Sequence, residues 1–205
     1  MAEDNARTAG EISGGDSFKK ITRLGIILFT MTAITGLILG VVYEITLTPI
    51  QQTQARLKTE ALAGAMPEAD SFSPLEIADA ADPIITEVHE AKNGGELVGY
   101  CIVIAPSGYG GPIEMVVGIP DAGGVRAIRI LNQTETPGLG AKAPQPQFSG
   151  QFDNKESNRL SVVKSTPSEP GDIQAISGAT ITSNAVTGGV NVALEYWEKE
   201  LKGGN

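Results

Sequence analysis

The hydrophobic pattern changes character along the chain, and each change predicts a different kind of element. Positions 1–17 are polar and carry no apolar period, which reads as a tail. Residues 24–43 then form a run without a charged side chain, with Lys19, Lys20 and Arg23 before it and Glu44 after it. A run of that length suffices to cross a hydrocarbon core as a helix. Over 48–65 the apolar positions thin to Ile50, Leu57 and Ala61 among glutamines and charges. Thr48-Pro49-Ile50-Gln51 at their head matches a capping box with proline at the first helical position, so a polar stalk helix is expected. From 84 the pattern turns to β-type runs at 84–91, 97–105, 113–119 and 125–131. Asn93-Gly94-Gly95 and Asp121-Ala122-Gly123-Gly124 divide them at hairpin spacing. Residues 132–171 are rich in Pro, Gly, Gln and Ser, with 160–163 the one strand-like piece, and loops this long are commonly functional. Over 183–202, Val186, Val190, Leu194, Trp197 and Leu201 recur at helical spacing, a stripe that should lie on the sheet with Trp197 as a core anchor.

The expected fold class is therefore α+β: a single N-terminal transmembrane helix and helical stalk, then a domain with a mainly antiparallel sheet and a packed C-terminal helix. A cleaved signal peptide competes for the apolar run, but the run is long for a signal core and Val42-Tyr43-Glu44-Ile45-Thr46 offers no small-x-small cleavage site. Basic residues on its N-terminal side favour a cytoplasmic N-terminus and a domain across the membrane. Gly36 and Gly40 form a GxxxG preceded by Thr32 at the same spacing, which either gives a partner helix a smooth face or reflects the frequency of glycine in spans.

Charge sharpens this picture. The formal net charge is -9, and residues 1–23 balance Glu3, Asp4, Glu11 and Asp16 against Arg7, Lys19, Lys20 and Arg23, so the remainder carries the whole excess. An acidic domain argues against nucleic acid as a partner. One cysteine, Cys101, and one histidine, His89, are too few for thiolate or imidazole metal sites. Cys101 lies in an apolar run and reads as a small buried residue. His89, on the opposite strand face from Glu90, reads as strand surface.

No GxxxxGK[ST] occurs, and Gly138-Leu139-Gly140 lacks the third glycine of a dinucleotide fingerprint. Ser107-Gly108-Tyr109-Gly110-Gly111-Pro112 reads as a turn whose glycines could admit a partner. Glu135-Thr136-Pro137-Gly138-Leu139-Gly140-Ala141-Lys142 is either a ligand-facing loop or a plain turn. Ser177-Gly178-Ala179-Thr180, just before the last helix, places hydroxyls and small residues where unpaired N–H groups and the helix dipole favour a phosphate. Ser177, Thr180, Thr182 or Ser183 could equally be a plain N-cap. Gly188-Gly189 would weaken that helix, which suggests close packing or the approach of a ligand.

Together, the N-terminal span, the 107–112 cluster, the 135–142 loop and Ser177-Gly178-Ala179-Thr180-Ile181-Thr182-Ser183 resemble RnfG. This family comprises the membrane-anchored FMN-binding subunits of the Rnf ion-translocating electron-transport complexes, and is related to the C subunit of the sodium-translocating NADH:quinone reductase. The resemblance implies that FMN is joined through its phosphate to the hydroxyl of Thr180, with Ser177, Gly178 and Ala179 shaping the turn and Glu135, Thr136, Gly138 and Leu139 flanking the flavin. It implies an electron-carrying component of a ferredoxin:NAD oxidoreductase that translocates sodium or protons. Its partners would be other integral-membrane and iron–sulfur or flavin subunits, and a flavin transferase during maturation. On this reading residues 1–20 are a cytoplasmic tail, 21–45 the transmembrane helix, 46–70 the stalk and 71–205 the extracytoplasmic covalent-FMN-binding domain. No catalytic residue and no metal site are expected. One departure is Gln174, where the family commonly has an aspartate, with Asp172 two places earlier. The rival reading is an anchored sensor domain that uses the same turn noncovalently. A hydrolase built on Cys101 or Ser177 lacks a base, since nothing in the sequence brings His89 to either.

Overall fold

The computed structural model describes residues 14–78 and 81–203, which form two compact units, one up to Thr53 and one from Gln54. Helix α1 is assigned over Gly14–Ala65. The expected tail lies outside the described residues as far as position 13, and from Gly14 the chain is helical. In the first unit, Lys19–Thr46 is 28 residues long and contains an 18-residue stretch of mean hydropathy 2.3, sufficient by length and composition to cross a membrane. Its threonines are compatible with an apolar medium because they bond back into the helix: Thr30, Thr32, Thr35 and Thr46 donate to carbonyls one turn earlier. The helix start expected at Thr48 is not seen, since α1 runs through Thr48 and Pro49. Capping residues mark where a helix can begin and do not exclude helical turns upstream.

In the second unit, β1 (Ser71–Leu75), β2 (Ile85–Asn93), β3 (Glu96–Ile104), β4 (Glu114–Pro120) and β5 (Ala127–Asn132) make one antiparallel sheet in sequence order. Gly94 and Gly95, at φ 60 and 89, form the two-residue turn from β2 to β3, a backbone that L side chains disfavour. The short strand β1 was not apparent in the sequence; it contains Pro74, which only an edge strand tolerates, and it pairs with β2 alone.

The runs in β3 and β4 are almost wholly apolar because both sheet faces are covered. Ile102, Ile104, Met115, Val117, Ile119 and Ile128 join one cluster with Val186, Val190, Leu194, Trp197 and Leu201 from the C-terminal helix. Alternate positions Cys101, Val103 and Val116 join a second cluster with Leu62, Ala65 and Met66. The end of α1 is thus part of the domain core. Its contact residues differ from the expected stripe, since Leu57 is exposed while Leu62 and Ala65 are buried.

Covering that second face also corrects the reading of His89, which is buried rather than on the strand surface. Its Nε2 lies 3.0 Å from Glu87 Oε2, and Lys58 of α1 donates to the same oxygen. Burial pushes the Glu87 pKa up, but the bonds from Lys58 and His89 outweigh it and hold the carboxyl below its usual range.

Residues 132–171 are more ordered than expected. A 3-10 turn at Gly140–Lys142, the short helix α2 (Pro146–Ser149) and a second turn at Gly150–Phe152 pack Phe148 edge-on to Phe152 at 5.5 Å. β6 (Ser161–Val163) pairs in parallel with β7 (Asp172–Gln174), a three-residue strand with no sequence signature. Helix α3 (Thr180–Tyr196) follows and ends in a π turn at Trp197–Leu201.

Candidate functional site

Three segments that are separate in sequence meet at the start of α3. The first is the 107–112 hairpin tip, closed by Gly108 N–H to Gly111 O at 2.8 Å. The second is the 135–142 loop, tightened by Leu139 N–H to Thr136 O at 3.1 Å. The third is the turn 176–179, closed by Ala179 N–H to Ile176 O at 2.9 Å. Gly178 sits in this turn at φ +76, and a Cβ there would lie 3.0 Å from Leu139 Cδ2. Glycine therefore both permits the left-handed backbone and lets the second and third segments touch.

Between them lies a pocket of about 530 Å³. Glu135, Thr136, Leu139 and Gly140 line it from the loop, Tyr109 from the hairpin tip, and Gly178 to Thr182 from the helix start. Its rim is unusually apolar. Outside α1, the exposed large hydrophobics among the described residues are Tyr109 (70%), Leu139 (41%) and Ile181 (55%), and all three line this pocket.

The helix start does not contain the plain cap that the sequence allowed. Its N-cap is Ala179, and no side chain caps it. Ser183 N–H makes the first helical bond, to Ala179 O at 3.0 Å, so the amides of Thr180, Ile181 and Thr182 precede the ladder. Ser183 Oγ is used internally, accepting from Ile176 N–H and donating to Ala179 O, both at 2.9 Å. Thr182 Oγ1 donates to Glu135 Oε2 at 2.5 Å. Thr180 is exposed, on the pocket wall, and its hydroxyl makes neither kind of contact.

Of the residues expected from sequence, Glu135, Thr136, Leu139, Gly178, Ala179 and Thr180 line the pocket. Ser177 and Gly138 are exposed beside it and do not line it. Gly138, at φ +80, turns the loop. Glu135 differs in kind from a surface loop residue: its side chain is buried, and Gly110 N–H donates to its Oε1 at 2.8 Å. Gly140 joins the lining from the expected loop, whereas Tyr109, Ile181 and Thr182 are lining residues that the sequence had not assigned to the site. An aromatic flanked by glycines at a hairpin tip was the available signal for Tyr109.

The Asp172 and Gln174 region plays a structural part. Hydrogen bonds from Ser168 N–H and Glu169 N–H hold the Asp172 carboxyl below its usual range against the opposing effect of burial, with Ser168 and Ser161 hydroxyls adding to them. Gln174 is exposed, and its main chain is bridged by the Gln151 amide at 2.7 and 3.2 Å.

A pocket of this size, with an apolar rim and an uncapped helix N-terminus, suits a planar aromatic ligand that carries a phosphate. Residues 108–195, from the hairpin tip to the last turns of α3, match the FMN-binding domain family, which sets the class of protein. The relatives narrow it. The chain is 36% identical over 200 residues to the G subunit of the Na(+)-translocating ferredoxin:NAD(+) oxidoreductase complex of Acetobacterium woodii, covering 90% of this chain and 95% of that one. It is 36% identical over 162 residues to the G subunit of the proton-translocating complex of Clostridium ljungdahlii, covering 79% and 83%. The chain belongs to the family of G subunits of ion-translocating (Rnf) oxidoreductase complexes. Among solved structures it resembles the C subunit of the Na(+)-translocating NADH-quinone reductase of Parabacteroides distasonis, with TM-score 0.50 and 30% identity, covering 58% of this chain and 64% of that one.

Proposed function

We propose that this chain is the electron-carrying component of an Rnf-type ferredoxin:NAD oxidoreductase and carries FMN as a phosphoester on Thr180. The observation that carries the reading is Thr180, an exposed residue on the pocket wall at an uncapped helix start. The amides of Thr180, Ile181 and Thr182, together with the dipole of α3, stabilise the phosphate. Gly178 and Ala179 keep the turn narrow, Ser177 flanks it, and Thr136, Gly138 and Leu139 shape the loop beside the ring. Tyr109, Leu139 and Ile181 supply apolar surface for the isoalloxazine. That ring, when bound, accepts and passes on electrons; the protein positions it and sets its surroundings.

The electrostatics favour a covalent link over a reversible one. Among the described residues, the pocket lining contains no lysine or arginine and one carboxylate, Glu135, inside an acidic domain. Such a site gives a dianionic phosphate little besides backbone amides, so noncovalent FMN would be lost readily. On this proposal a flavin transferase installs the cofactor, 21–45 anchors the chain with its N-terminus in the cytoplasm, and 71–205 works outside. Electrons are exchanged with iron–sulfur and flavin subunits of the complex while sodium or protons are moved across the membrane.

The test is a denaturing gel viewed under ultraviolet light after coexpression with a flavin transferase, followed by peptide mapping. A fluorescent band is expected, with a mass gain of one FMN less one water on the tryptic peptide spanning 165–199. Thr180→Val should abolish both signals. A dark wild-type band, with FMN released on denaturation, would instead establish the noncovalent alternative.

A further inference from the structure

The helix start carries several hydroxyls, and the fold leaves them in very different states. Ser183 is fully buried and bonded in both directions. Thr182 is 1% exposed, with its proton directed to Glu135 Oε2. Resting on the reading above, we propose that Glu135 and Thr182 form a lock that leaves Thr180 as the one hydroxyl of the first turn open to an incoming phosphoryl group, and so decides which threonine is esterified.

The lock is held from both sides. Gly110 N–H donates to Glu135 Oε1, and Thr182 Oγ1 donates to Oε2, so one buried carboxylate joins the hairpin tip to the helix start across the loop that carries it. The surroundings are shaped to admit it. A Cβ at Gly108 would lie 2.4 Å from Oε1, and a Cβ at Gly140 would lie 2.5 Å from both Oε2 and Thr182 Oγ1. Both oxygens of the Glu135 carboxylate accept a hydrogen bond. Without it, the Thr182 hydroxyl would be left as a buried donor without this partner and free to rotate toward the pocket, and the exposed Gly110 amide would lose the bond that ties the hairpin tip to the loop. Glu135 is therefore a positioning residue, acting through Thr182 and through the register of the helix start.

The chemical step requires such selection. Esterification joins Thr180 Oγ to the FMN phosphorus and breaks the phosphoanhydride of a flavin dinucleotide brought by the transferase. The nucleoside monophosphate leaves, and the hydroxyl proton goes to solvent. A second threonine two positions away could accept the same group if its hydroxyl were presented.

The experiment uses the full chain coexpressed with a flavin transferase. Covalent loading is read by intact mass, and fragmentation of the 165–199 peptide separates Thr180 from Thr182. Wild type should carry flavin on Thr180 alone. Glu135→Ala should lower Thr180 loading on the order of tenfold, as expected for a misplaced reacting group, with flavin now also found on Thr182. Thr182→Val leaves the Gly110 bond to Glu135 in place and should lower loading in a folded protein, whereas Thr182→Ser, which keeps the donor, should restore it. Hydrogen exchange on the flavin-free protein gives an independent readout: the Gly110 amide should lose protection in Glu135→Ala while the β3 and β4 amides keep theirs. Thr180-only loading at wild-type yield in both Glu135→Ala and Thr182→Val would overturn the lock. A wild type without covalent flavin would instead overturn the functional reading on which the lock rests.

Discussion

Cys101 sits beneath the last turns of α1, fully buried, with Sγ 3.9 Å from Leu62 O. Burial pushes its pKa up to about 12, so at neutral pH it is a thiol without nucleophilic character. A thiol reagent at pH 8 should therefore leave native protein unlabelled and modify one thiol per chain after denaturation; rapid labelling of the native protein would contradict the packing. His89, its cross-strand neighbour, is buried by the same covering helix. Both side chains were legible as strand residues from the sequence. Only for Cys101 did the apolar neighbours also reveal the burial, because the cover over His89 comes from a helix more than twenty positions away in the chain. Glu135 is the corresponding case at the site: the sequence places it in a turn, whereas the fold turns its carboxylate inward between Gly108 and Gly140.

At the scale of elements, the paired glycines of α3 separate propensity from packing. A Cβ at Gly188 meets nothing within 4 Å, whereas one at Gly189 would lie 2.8 Å from Pro106 Cγ and 2.9 Å from Ile104 Cδ1. Gly188→Ala should thus stabilise the domain by up to about 1 kcal/mol through helix propensity. Gly189→Ala gains the same propensity but incurs overpacking of roughly 1–3 kcal/mol, so its net effect should be destabilising. Chemical denaturation of the two variants in parallel gives the comparison, and equal shifts would refute the close contact. The sequence suggested close packing or a ligand at this pair; the structure gives packing at Gly189.

The β6–β7 connection offers a pH test. The folded Asp172 pKa lies below the ordinary value, so its charge stabilises the segment fully above about pH 4. That contribution is lost as the pH falls through the lowered folded value. Protection of the Ser168 and Glu169 amides, corrected for intrinsic exchange rates, should persist to about pH 4 and decline below it. Asp172→Asn should weaken that protection at neutral pH and remove its acid dependence. Wild-type protection that is indifferent to acid would contradict the role given to the carboxylate.

For the whole molecule, the distribution of charge sets an expected orientation. Lys19, Lys20 and Arg23 stand at the N-terminal end of the apolar stretch, so that end should remain in the cytoplasm and the acidic domain should lie outside. A protease added to right-side-out vesicles should degrade the chain beyond residue 70, while inverted vesicles should protect it; the reverse pattern would invert the topology. The amino-acid sequence by itself determined the apolar span, four of the five strands of the main sheet, the apolar stripe of the last helix and two of the three segments that meet at the candidate site. Each is written in residues close together in the chain, as a period or as the chemistry of a turn. The tertiary structure alone decided that the end of α1 closes the second face of the sheet, and that Tyr109 joins the pocket from a hairpin tip. It also decided that Glu135 reaches a threonine 47 positions away. Those features depend on segments brought together by burying both faces of one sheet, and no local pattern records which side chains will meet there.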